Sequence, residues 1–164
     1  MSALDEKILV GGVFCDLQRV FDCVNHNILL TKLEFYGISG TALQLLRSYL
    51  NNRHQRVTIK DSNNNKQTSE WELIKHRIPQ GSILGPLPFL IYINDLARTI
   101  NKVAEVILFA DDMSIIISNK NIQEFKNNLN SVIKQTINWF QSNLLSLNYN
   151  KTYFLKFFTE KKTK

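Results

Sequence analysis

The stretch Val106–Ser118, VILFADDMSIIIS, sets two adjacent aspartates, Asp111 and Asp112, in a run that is otherwise almost wholly apolar. Isoleucine and valine favour strand, and an aspartate pair suits a tight turn. The run therefore predicts a β-hairpin with both carboxylates at or near its tip. Two unneutralised carboxylates about 4 Å apart repel by about 4 kcal/mol at an effective dielectric of about 20. Such a pair calls for a cation, and a divalent metal is the first candidate. Taken alone, the dipeptide also fits an ordinary solvated turn.

The rest of the chain narrows the choice. Its 164 residues are the size of one domain, and 44% hydrophobic residues with ten phenylalanines are enough for a core. No apolar run reaches the length of a membrane span. The start, MSALDEKILVGGVF, is too acidic and its apolar part too short for a secretory signal. Cys15 and Cys23 show no metal-ligand spacing with the three histidines. A reduced, intracellular setting is the simplest reading of that cysteine usage. The net charge of +6 agrees with a polyanionic partner, nucleic acid above all, although part of the excess lies in the tail EKKTK.

Strand and helix signals alternate along the sequence. KILVGGVFCD, from Lys7, predicts a buried strand ending at Asp16. HNILLTKLEFYG and GTALQLLRSYLNN predict two helices, each limited by glycine or asparagine. HQRVTIK and KQTSEWEL flank the polar turn DSNNNKQ and predict a second hairpin. A helix is expected from about Leu84 to Ile100, with two prolines near its start. Ile122, Phe125, Leu129, Val132, Ile133, Ile137 and Phe140 form one helical stripe, opened by an Asn121…Glu124 capping pattern. That stripe reads as core. TYFLKFF is the last expected strand. The order points to an α/β (α+β) fold with helices packed on one sheet. A sheet that sets the first strand beside the Asp111–Asp112 hairpin would bring Asp16 to the same edge. Three carboxylates gathered there would suit a two-metal phosphoryl-transfer site.

Four segments, VFCDLQRVFDCVNHNILLTKLEFYGISG, RIPQGSILGPLPFLIYINDL, LFADDMSI and NLLSLNYNKTYFLKF, occur in that order. Together they resemble successive motifs of the reverse transcriptases of non-LTR (LINE-type, jockey-like) retrotransposons, over about Val10 to Phe158. The resemblance implies a polymerase palm-like sheet with a catalytic hairpin, incomplete fingers and no thumb, as a single partial domain over 1–164. It implies RNA-directed DNA polymerase chemistry with two Mg²⁺ (or Mn²⁺) ions, an RNA template, a DNA primer and dNTP. A nuclear location follows from the family alone.

Carried over by motif, Asp16 and Asp111 would be the main metal ligands and Asp112 the third catalytic carboxylate. Phe21 matches the family's steric gate, which would crowd a ribose 2′-OH; outside the motif it would read as a core phenylalanine. Gln80 and Gly81, in PQGS, match the element lying against nucleotide and template. Lys151 matches the lysine near the triphosphate, placed to neutralise charge or protonate pyrophosphate. Asp22 reads as an exposed or hydrogen-bonded structural aspartate, and nothing separates Arg53 and Arg56 from solvated charges.

Departures from the family pattern set limits. Members usually carry glycine where Arg77 stands, which suggests a backbone conformation that arginine enters at a cost. GPLPF replaces the usual GPLLF, so Pro88 falls inside the expected helix, where an interior proline costs about 3 kcal/mol or more unless the helix kinks or starts later. Val20 and Arg19 replace a usual alanine and lysine. The alternative reading is a catalytically silent retroelement remnant that at most binds nucleic acid. A nucleotidyl cyclase on a palm-like fold is a third class, disfavoured by PQGS and by the NKT element.

Overall fold

The computed structural model describes residues 8–17, 20–74, 76–77, 86–100, 103–109 and 112–157. In chain order the elements are β1 (Leu9–Leu17), the single-turn α1 (Val20–Cys23), α2 (His26–Phe35), α3 (Gly40–Leu50), β2 (His54–Gln55), β3 (Thr58–Lys60), β4 (Lys66–Thr68), β5 (Glu72–Leu73), α4 (Pro86–Ile100), β6 (Glu105–Phe109), β7 (Asp112–Asn119), α5 (Ile122–Ser142) and β8 (Leu147–Phe157). They fall into two units, one of residues 1–20 and 93–164, the other Phe21–Tyr92.

The first unit is built on a four-stranded antiparallel sheet in the order β6-β7-β1-β8. Strand alternation gives the sheet two unlike faces. Val13 and Cys15 of β1 and Met113, Ile115 and Ile117 of β7 are buried on one face, against which α5 lies. The two glycines of β1 make room on opposite sides. A Cβ on Gly11 would meet the ring of Phe125 from α5 at 2.7 Å, and one on Gly12 would meet the ring of Phe14 at 2.7 Å. The second face is open, with Ile107, Phe109, Tyr153 and Leu155 exposed.

The side chain of Asn121 caps α5 by accepting from the backbone N–H of Gln123 and Glu124, as the Asn121…Glu124 pattern predicts. The apolar stripe holds in part. Phe125, Val132 and Phe140 are buried, whereas Ile122 and Ile133 are exposed and Thr136 and Trp139 take core positions. The buried Thr136 hydroxyl donates to the carbonyl of Val132, which is how a polar residue is accommodated there. The last strand is longer than TYFLKFF, because β8 starts at Leu147 and so contains Lys151. Its pairing with β1 shifts register between Cys15 and Leu17.

In the second unit, Asn25 caps α2 by accepting from the N–H of Asn27 and Ile28. Leu29, Leu30, Leu33, Leu50, Phe89 and Tyr92 are buried. The second hairpin forms as two short ladders, β2 with β5 and β3 with β4. In its turn Asp61 accepts from the backbone N–H and side-chain amide of Asn65 and from the N–H of Asn63. The Asn65 contacts chiefly hold the Asp61 carboxyl below its usual range. Among the described residues α4 runs over Pro86–Ile100, with Pro88 two residues after the first of them.

Arg77 has φ +91°, in the left-handed region. This is the geometry that a glycine at that position suggests. Three contacts hold the arginine there. Its Nε pairs with Asp22 Oδ1 at 2.9 Å, its N–H donates to the Val24 carbonyl at 3.2 Å, and its carbonyl accepts from His26 Nε2 at 2.9 Å. Asp22 is thus a structural partner, in agreement with its sequence reading. Arg77→Gly is expected to melt higher than Arg77→Ala, by about 1 kcal/mol in stability. Both remove the exposed ion pair, but only glycine enters φ > 0 without steric cost. Equal thermal melting of the two variants would mean that the conformation is not maintained.

Candidate active site

The antiparallel register pairs Asp16 of β1 directly with Asp112 of β7. Residues so opposed have Cα atoms about 4.5–5.5 Å apart, and like charges on one rung are destabilising. The counter-charge comes from the next strand on the other side. Lys151 Nζ of β8 lies 2.9 Å from Asp16 Oδ2. Three consecutive strands, β7, β1 and β8, thus line up carboxylate, carboxylate and ammonium.

These side chains open into a cleft of about 690 Å³, lined also by Phe14, Ser114 and Tyr153. The Asp16 side chain is 24% exposed and that of Lys151 65% exposed, so the pair sits at the rim of the sheet and not in its core. Cys15, the neighbour of Asp16, alternates to the buried face. Burial pushes its thiol pKa up, against a smaller opposing effect of its hydrogen bond with Thr152, so Cys15 stays a neutral thiol.

Asp16, Asp112 and Lys151 are therefore brought together. Asp111, Gln80 and Gly81 lie outside the described residues, and Phe21 belongs to α1 with its side chain outside that description. Among the described residues no group of three or more His, Cys, Asp and Glu gathers as a metal cage. The donor set still fits a divalent ion that keeps part of its water, since Mg²⁺ takes one or two carboxylates and fills the rest with water and phosphate. Phe14, Ser114 and Tyr153 were not legible as cleft residues. The signal that could have found them is strand alternation, since Phe14, Ser114 and Tyr153 each stand two residues along a strand from Asp16, Asp112 and Lys151.

A family model described as reverse transcriptase (RNA-dependent DNA polymerase) matches residues 5–163. The chain belongs to the reverse transcriptase family. Within it, the chain is similar to the probable RNA-directed DNA polymerase from transposon BS of Drosophila melanogaster, with 27% identity over 93% of this chain and 17% of that protein. It is also similar to the RNA-directed DNA polymerase from mobile element jockey of Drosophila funebris, with 28% identity over 92% of the chain and 16% of that protein. This reverse transcriptase domain is thus related to those of jockey- and BS-type non-LTR retrotransposons, and it spans about one-sixth of their length.

Solved structures share the fold. Apo telomerase of Candida tropicalis, truncated from its C-terminal domain, superposes with a TM-score of 0.65 at 13% identity, over 95% of this chain and 32% of that one. Telomerase of Candida albicans in complex with a fragment of telomeric RNA gives 0.61 at 13% identity, over 99% and 30%. Among the described residues no helix is long and apolar enough to cross a membrane.

Proposed function

We propose that the chain is a palm portion of an RNA-directed DNA polymerase of the non-LTR retrotransposon type. Its reaction is the transfer of a deoxynucleotide onto a primer 3′-OH along an RNA template. The observation that carries this reading is the Asp16–Asp112 rung with Lys151 beside it, at one end of the sheet. In the reaction the primer 3′-oxygen bonds to the α-phosphorus of dNTP, the bond from that phosphorus to pyrophosphate breaks, and the 3′-OH proton leaves to solvent.

Asp16, Asp111 and Asp112 would hold the divalent ions, which supply Lewis-acid stabilisation of the attacking and leaving oxygens when bound. Lys151 is close enough to the carboxylates to neutralise the triphosphate or to give its proton to the departing pyrophosphate. Phe21 would exclude the 2′-OH, and Gln80 and Gly81 would lie against nucleotide and template. By the same family inference its partners would be met in the nucleus.

The test is extension of a DNA primer on an RNA template by the 164-residue chain, with dNTP and Mg²⁺ or Mn²⁺. Metal-dependent, template-directed products are expected, and their absence at high enzyme concentration would remove polymerase activity from this chain. A second reading is a catalytically silent remnant that at most binds nucleic acid. It is favoured by one observation, the arginine at φ +91° two residues before PQGS, where the family usually carries glycine. Retained binding of the primer-template without extension would support it.

A further inference from the structure

We infer that Lys151 is an internal competitor of the divalent cation for Asp16, and so sets the metal affinity of the site. The inference rests on the proposed role of Asp16 as a metal ligand. Lys151 Nζ lies 2.9 Å from Oδ2 of Asp16, the distance of a charge-assisted hydrogen bond. An ammonium so placed engages the oxygen that a cation would take and neutralises the field that would attract it.

The layout makes exchange cheap. Lys151 reaches Asp16 from β8, whereas Asp112 faces it from β7, so ammonium and second carboxylate approach from opposite sides. The Lys151 side chain is 65% exposed, so its ammonium regains water when it leaves. The β1–β8 ladder shifts register between Cys15 and Leu17, the interval that holds Asp16, so no regular rung locks this residue to β8. A polyphosphate chain entering the cleft offers Lys151 a second anion. Drawing the ammonium off Asp16 would then favour the cation, and by thermodynamic reciprocity the cation would favour phosphate.

The experiment is titration of the purified chain with Mn²⁺, following the free ion by electron paramagnetic resonance, for wild type, Lys151→Met, Lys151→Arg and Asp16→Asn. Lys151→Met is expected to bind Mn²⁺ about fivefold more tightly than wild type, which converts to about 1 kcal/mol, the upper end for an exposed pair. Lys151→Arg, which keeps the charge, is expected to stay close to wild type. Unchanged or weaker binding by Lys151→Met, while Asp16→Asn loses the ion, would overturn the competition and leave the metal role of Asp16 standing. Binding by Asp16→Asn equal to that of wild type would overturn the metal role itself, and the competition with it. Far-ultraviolet circular dichroism of each variant confirms that folded chains are compared.

Discussion

Replacing Ile115 by alanine is expected to lower the stability of the sheet unit by about 2–5 kcal/mol. Ile115 is 1% exposed, at the centre of β7, paired with Val13 on one side and Val106 on the other. Its side chain is on the face that α5 covers, so deletion leaves both lost transfer energy and a cavity. The control is Ile107→Ala, in the neighbouring strand β6. Ile107 is 57% exposed on the open face, and its loss is expected to change stability by no more than about 0.5 kcal/mol. Urea denaturation midpoints of the two variants decide the matter. Equal losses would mean that the two faces of the sheet are wrongly distinguished.

The second large effect is catalytic. Asp16→Asn is expected to reduce metal-dependent primer extension by about 10²–10³-fold, the scale on which removal of one charge-stabilising group acts at a transition state. The substitution is nearly isosteric. Its amide oxygen still accepts a hydrogen bond from Lys151, so thermal stability is expected to change by less than about 1 kcal/mol, as for an exposed ion pair. Activity and stability thus separate, which a merely structural aspartate would not allow. Extension within tenfold of wild type by a well-folded Asp16→Asn protein would take Asp16 out of the machinery.

Much of the local structure is legible in the sequence because its causes are local. The caps at Asn25 and Asn121 are each formed by a side chain reaching N–H groups two and three residues on. The hairpin of β6 and β7 follows from apolar residues flanking the aspartate pair. The left-handed backbone at Arg77 was anticipated from the family's usual glycine, since only glycine enters that region freely.

The sequence expects the last strand at TYFLKFF, whereas β8 starts at Leu147. Leu147–Lys151, LNYNK, has weak strand propensity, and it is strand through pairing with β1. Propensity therefore left Lys151 outside the strand, with no way to see that it meets Asp16. Nor does a helical stripe reveal that Ile133 would be exposed while Thr136 is buried, because the area a helix covers depends on what it packs against.

By itself the sequence determined the order and types of the longer elements, and the family to which the four ordered motifs belong. It also singled out Asp16, Asp112 and Lys151 individually. Only the tertiary structure decided that the first two share a rung and that the third neutralises one of them across the next strand. The reason is physical. Register is set by pairing between strands far apart in the chain, and slipping a strand by one residue would send every side chain to the opposite face.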